Sequence, residues 1–302
     1  MESKPSNQIG LVIGMTAFIF FAFSSSLVTL LERFHIMEII FFQNIFRFLL
    51  VAPFCVIKKT LKFDRSLLKL HLIRDIGGVL SFSVFFTSIN AIGLVDASVL
   101  YFLSPFIIPF AVKWIDKTHK ISASPWWTTT IGFIGMIVIF KPGSEIFHPL
   151  SLLGLLAAFF SAISWTAMSA LTQKGEPISK TLFYFFLVGI IISFPFLFFY
   201  WKMPNAHEWL ILLYFAMSSA LAQFLLILSY RYTTALILAP ASYMTLIFTI
   251  IFSWILFKES PAWTSLAGAF CIILGGLLSI FFRKKRAKDV IDIYGKEFTP
   301  PK

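Results

Sequence analysis

Long apolar stretches, interrupted by charge or by Gly, Pro and Asn breaks, run the length of the chain. They fall at 9–31, 36–57, 72–92, 95–115, 125–142, 150–172, 180–201, 208–229, 234–257 and 262–282. Apolar runs of about 18 residues or more carry an α-helix across a hydrocarbon core. The pattern therefore predicts an all-α membrane protein with ten transmembrane helices. The connections are too short to hold a soluble domain. The first run, Ile9 to Leu31, is long for a signal-peptide core and has no small-residue cleavage motif after it, so it reads as a retained helix.

Composition agrees with the pattern. Of 302 residues 58% are hydrophobic and 13% charged, and 38 are phenylalanine. A water-soluble core cannot absorb so many apolar side chains. The formal charge of +11 does not point to nucleic acid, because in a membrane protein a basic excess collects in cytoplasmic loops. With a cytoplasmic N-terminus, 20 of the 25 Lys and Arg residues fall in inside segments; four, Arg33, Lys141, Lys202 and Lys258, fall outside. That asymmetry places both termini in the cytoplasm. Trp114, Trp126, Trp127, Trp201, Trp209 and Trp263 lie near helix ends, where amphipathic rings favour the interface. Cys55 and Cys271 sit inside apolar runs, so the sequence offers neither a disulfide framework nor a metal site, and no cofactor motif appears.

A shift of 140 residues repeats the layout of five helices and then five. The short link before Asp96 recurs before Leu236, and Trp114–Ile115 recurs at Trp254–Ile255. Gly14, Ala17, Phe20, Ser24, Phe54 and Gly135 meet Gly154, Ala157, Phe160, Ser164, Phe194 and Gly275. Because five is odd, the second half is inverted in the bilayer. The expected units are 1–145 and 146–282, each of five helices, and a basic cytoplasmic tail over 283–302. Such 5+5 inverted repeats are built by secondary transporters, with the substrate near the midplane between the halves.

Several motifs carry a resemblance. "FRFLLVAPF" in the second helix, "GFIGMIVIFKPG" closing the fifth and "FKESPAWTSLAGAFCIILGG" across the ninth-to-tenth junction resemble the EamA branch of the drug/metabolite transporter superfamily. Glu259 followed by Gly268 and Gly275 is similar to that family's repeat ending; His119 stands at the matching acidic position of the first half. The resemblance implies a multi-pass carrier in the bacterial inner membrane for a small organic metabolite. It also implies a basic residue in the second helix. Within the family, "FRFLL", "GFIGMIVIFKP" and the basic second loop look most like carriers that import S-adenosylmethionine.

Polar side chains at membrane depth are costly and face a bundle interior or a cavity. Arg47 is the basic residue explained by neither loop asymmetry nor helix-end placement. Gln43 and Asn44 lie four and three residues before it, on the same face. A charge at the bilayer centre costs about 2.5–3.5 kcal/mol on the lenient insertion scale, so Arg47 needs a partner. Glu32, Glu38, Asp75, Asp96 and Glu259 all read as helix-end residues. Arg47 is then either a structural clamp with Gln43 and Asn44 or an anchor for a substrate carboxylate. Tyr101, Trp165 and Tyr243 are candidates to stack on a planar or cationic group. Ser24, Ser164, Gln223 and Asn90 are candidate hydrogen-bonding residues. Serines at four-residue spacing, with Gly77, also suit close helix packing.

These features predict a carrier of a small zwitterionic or cationic metabolite by alternating access, with import of S-adenosylmethionine as one reading and export of amino acids or toxic amines as another. A cavity lined by the first, third, fourth, sixth, eighth and ninth helices is expected. The absence of Asp, Glu or His at depth favours exchange or facilitated diffusion over proton coupling. A membrane enzyme lacks its acid–base pair or metal ligands, and a channel lacks its filter. The expected partners are a small-molecule substrate and the lipid bilayer, for a monomer or a homodimer.

Overall fold

The computed structural model describes residues 7–59, 61, 64–115, 124–143, 146, 148–258 and 260–275. His119, Glu259 and the tail 283–302 lie outside the described residues. Among the described residues the chain is helical and has no strand. We number the helical segments α1 (Asn7–Leu31), α2 (Ile36–Ile57), α3 (Leu68–Ile92), α4 (Leu94–Ile115), α5 (Ser124–Phe140), α6 (Ser151–Gln173), α7 (Ile178–Tyr200), α8 (Ala206–Ser229), α9 (Ala235–Phe257) and α10 (Trp263–Gly275). Among the described residues all but α5 and α10 are long and apolar enough to cross a membrane, which makes eight candidate spans there. The protein is thus a multi-pass membrane protein. Helices suit this setting because lipid offers no partner to a free N–H or C=O.

Local chemistry sets where the helices begin and end. His35 caps α2: its ring accepts from Met37 N at 3.3 Å, while Glu38 Oε2 accepts from His35 N at 3.0 Å. Asn205 and Glu208 close the same reciprocal box at the start of α8. Gly93 ends α3 at φ 83°, a left-handed conformation that glycine adopts without strain. Two helices are interrupted. α4 breaks at Phe102 and Leu103, ahead of Pro105, and α9 tightens to a 3-10 turn over Ala239–Tyr243, around Pro240. Proline has no N–H to continue the ladder. The two breaks are joined, since Tyr243 Oη donates to Phe102 O at 3.0 Å.

In the packing, α3 lies along α6 and α1 along α8, while α2 faces α7. α4 covers α6 and α9 covers α1; α3 also meets α7, and α8 also meets α2. The main core gathers Phe18, Met168, Phe186, Leu226, Ile227 and Leu238. α5 and α10 approach at Gly135 and Gly268: a Cβ on Gly135 would stand 2.7 Å from Gly268 O. Small residues allow such backbone contact between membrane helices.

That contact yields a test. Gly135→Leu should overpack the seam and destabilise the protein by about 1–3 kcal/mol, read as a lower melting temperature and a smaller monodisperse fraction on size-exclusion chromatography. Gly143→Ala, where a Cβ meets only Asp96 Oδ2 at 3.4 Å, should be far milder.

Candidate functional site

Arg47 sits inside the bundle, 5% exposed. Its Nε donates to Ser219 Oγ of α8 at 2.9 Å, and Gln43 Nε2 donates to the same oxygen at 3.0 Å. Ser219 in turn donates to Phe215 O at 2.5 Å. One hydroxyl thereby gathers two donors from α2 and fixes them to α8. The Arg47 guanidinium lies 5.4 Å from the Phe186 ring of α7, a cation–π distance. Asn44 donates to Ile40 O at 2.8 Å and packs over Gly189, while its Oδ1 is buried without a partner. Gln43, Asn44 and Arg47 thus do share one face.

A second buried arginine, not foreseen from the sequence, stands beside the first. Arg74 is among the 20 basic residues that the charge asymmetry assigns to the cytoplasmic side, but α3 begins at Leu68 and carries Arg74 inside, where it is 2% exposed. Lys69 and His71 hide the start of this helix from hydropathy. The stripe Gly77, Ser81, Phe85 and Ser88 was the available signal: followed one turn back, it arrives at Arg74. Nη1 of Arg74 donates to Ser164 Oγ and Nη2 to Gln223 Oε1, both at 3.1 Å. Ser164 Oγ also donates to Arg74 O at 2.6 Å. The guanidinium lies 3.9 Å from the Phe185 ring. Consecutive rings on α7 therefore each face one arginine. Ser219 and Gln223, the two arginines' partners, are one turn apart on α8. Nε of Arg74 and the hydroxyl of Tyr230 are buried without partners. Among the described residues no carboxylate oxygen lies within 4.0 Å of either guanidinium.

The other candidate residues are distributed around this pair. Trp165, half-buried, stacks on Phe18 with ring centroids 6.1 Å apart. Tyr101 Oη is 3.3 Å from Ser161 Oγ, one turn before Trp165, and its ring is 4.6 Å from that of Phe85. These groups form an aromatic patch on α1, α3, α4 and α6. Ser24 donates to Phe215 O at 3.3 Å and so binds α1 to α8. Tyr243 is buried against Gly132, its hydroxyl engaged at the α4 break. Asn90 is exposed near the end of α3. The polar cluster draws on α2 and α7 as well as on α3, α6 and α8. A mostly apolar groove of about 650 Å³ opens on the outer side of α1, α2, α7 and α8, where Leu50, Phe54, Tyr214 and Met217 are exposed; Arg47, Arg74, Ser219 and Gln223 do not line it.

Buried cationic and amide groups are thus gathered inside a bundle of membrane helices. Residues 149–281 match the EamA-like transporter family. The chain is 30% identical to the "S-adenosylmethionine uptake transporter" of Rickettsia conorii over 84% of its own length and 85% of that protein's. The chain belongs to the EamA-like transporter family. It is also 27% identical to the "Pseudopaline exporter" of Pseudomonas aeruginosa, over 78% of this chain and 83% of that one. A solved crystal structure shares the fold with a TM-score of 0.79 at 12% identity, covering 92% of this chain and 98% of its own. The protein is a small-metabolite transporter.

In this EamA-like transporter, ionic clusters stand at opposite ends of the bundle. At one end Glu176 Oε1 meets Lys180 Nζ at 2.8 Å and His71 Nε2 at 2.9 Å, with Asp75 Oδ2 3.9 Å from His71 Nδ1. Asp75, read as a helix-end residue, lies two turns into α3 and is buried; Glu38 does stand in the first turn of α2 and is buried there. At the other end the capping carboxylates cross. Arg33 grips Glu208 with contacts of 2.6 and 2.8 Å, and Lys202 N donates to Glu38 Oε1 at 2.5 Å. Lys202 Nζ donates to Arg33 O at 2.7 Å, and His35 stacks on Tyr200 with centroids 3.8 Å apart.

Two expectations follow from these contacts. Ser219→Ala strands two donors on α2 and should cost about 1–3 kcal/mol, measured by thermal unfolding in detergent; Ser25→Ala, whose hydroxyl bonds only within α1, should cost much less. The second concerns His35. Burial lowers its pKa from the ordinary 6.5, with Glu38 opposing and Lys202 adding to the shift. The folded state therefore favours the neutral ring, and its contribution is complete above pH 6.5 and lost as pH falls below it. Melting temperature should drop on acidification from about pH 8 to about pH 5, and drop less in His35→Asn, which keeps a capping side chain. An equal drop in both proteins would contradict this.

Proposed function

We propose that the chain is a secondary carrier, without an enzymatic step, that moves S-adenosylmethionine or a similar zwitterionic metabolite across the bacterial inner membrane by exchange. Ten spans form two inverted five-helix repeats, 1–145 and 146–282, with both termini in the cytoplasm, and the repeats rock about the site between them. The likeness to an uptake transporter over 84% of the chain carries the choice of substrate. The helix packing supports the repeat. Exchanging α1–α5 with α6–α10 turns the α3–α6 contact into α8–α1, α4–α6 into α9–α1, and α3–α7 into α8–α2, while α2–α7 maps onto itself. The breaks in α4 and α9 also correspond under the 140-residue shift. Such correspondence is what transporters whose halves alternate access would require, and it supports the reading.

In this reading Trp165 and Tyr101 stack on the planar or cationic part of the substrate, and Gln223 and Ser164 supply hydrogen bonds. Ser24 and Tyr243 hold the surrounding helices, and Asn90 meets solute near one mouth. Arg47, with Gln43 and Asn44, serves the frame or a substrate carboxylate. The likeness to an exporter supports a second reading, outward movement of an amino-acid-like compound; the same exchange chemistry runs either way, and gradients set the direction.

Proteoliposomes test the proposal. Labelled S-adenosylmethionine should enter saturably, and unlabelled internal substrate should accelerate it. Trp165→Ala and Gln223→Ala should each lower uptake at least about tenfold, the scale of one lost polar or π contact of about 1.4 kcal/mol, at unchanged protein level. Linear uptake without counterflow would mean a channel instead.

A further inference from the structure

We infer that Arg47 and Arg74 together form a carboxylate-binding subsite, so that the carried compound must bear a free carboxylate. The inference rests on the transporter reading and narrows it to a substrate class. It starts from the two guanidiniums, both buried and, among the described residues, both without a carboxylate within 4.0 Å. Their hydrogen bonds go to neutral groups, Ser219, Ser164 and Gln223. Neutral partners orient a guanidinium but leave its charge uncompensated in a low-dielectric interior.

The geometry suits one shared anion. Phe185 faces the Arg74 guanidinium and Phe186 that of Arg47, and the α8 partners of the two arginines, Gln223 and Ser219, are separated by one turn, about 6 Å of rise. A carboxylate with two oxygens can accept from both forks. Two further donors are left over at Arg74 and near it: its own Nε and the Tyr230 hydroxyl are buried without partners. Tyr230 lies seven residues after Gln223, on the same face of the α8 helix and its end. No carboxylate among the described residues lies within 4.0 Å of either guanidinium, and Glu176 is already shared by Lys180 and His71, so the neutralising anion is left to the carried compound. The same cations repel a substrate's own positive group, which is directed instead to the aromatic patch of Trp165 and Tyr101. An α-amino acid derivative with a distal ring or cation fits both parts.

The test compares matched pairs that differ only in the carboxyl group: S-adenosylmethionine with its decarboxylated form, arginine with agmatine, and tyrosine with tyramine. Uptake into proteoliposomes and binding to purified full-length protein are both measured. Wild type should prefer the carboxylated member of any pair it handles by at least about tenfold, the scale of one charge-assisted hydrogen bond. In Arg74→Gln and Arg47→Gln the preference ratio should fall toward one, while Arg74→Lys should keep part of it. The wild-type ratio needs no variant, so a variant that fails to fold leaves the test intact. Transport of both members equally, or a ratio unchanged in both variants, overturns the subsite and leaves the transporter reading standing. No uptake of any member overturns both.

Discussion

A guanidinium cannot shed its charge inside a protein, and this chain encloses two. That constraint organises the interior. Each charge has to be surrounded by aromatic faces and oriented neutral acceptors, because both guanidiniums are buried and carboxylates within reach are missing among the described residues. Meeting it takes residues from α2, α3, α6, α7 and α8 at once. Ser219 and Gln223 make α8 the common backing, and Phe185 and Phe186 make α7 the opposing wall. The helices that satisfy the arginines are those that pack across the two halves of the chain. Polar satisfaction and helix association are here one problem.

The two halves of the chain differ at this centre. A 140-residue shift brings Arg47 onto Leu187 and Arg74 onto Tyr214, and Tyr214 faces outward. The second half answers instead with the receiving groups: the rings of α7, the hydroxyl and amide of α8, and Ser164 of α6. Charge lies on one side of the interface and its accommodation on the other. A rotation between the halves would therefore change the surroundings of both guanidiniums together.

How far the sequence could be read depended on what each signal measures. Hydropathy responds to transfer from water, so it located α2 with both ends right and placed Arg47 in an apolar setting. It failed at the start of α3, where Lys69 and His71 continue a helix that the apolar run does not show. Arg74 was lost with them. Face periodicity put Gln43, Asn44 and Arg47 together and put Gln223 and Ser164 inward, as the structure has them. It could not tell a residue facing a site from one that closes a helix break, which is why Tyr243 looked like Tyr101. That distinction is tertiary: it depends on Phe102 O being freed by the interruption of another helix.

The crossed carboxylates of Glu38 and Glu208 lead to a mechanical conclusion. Each accepts from its own helix start and from the opposite loop. If the loops part, the cross-bonds go and the cap bonds stay. Neither carboxylate is then stripped of all donors, and neither helix loses its first turn. The junction is a perforated seam: it separates along a set line, leaves both edges finished, and can reseal with nothing to refold.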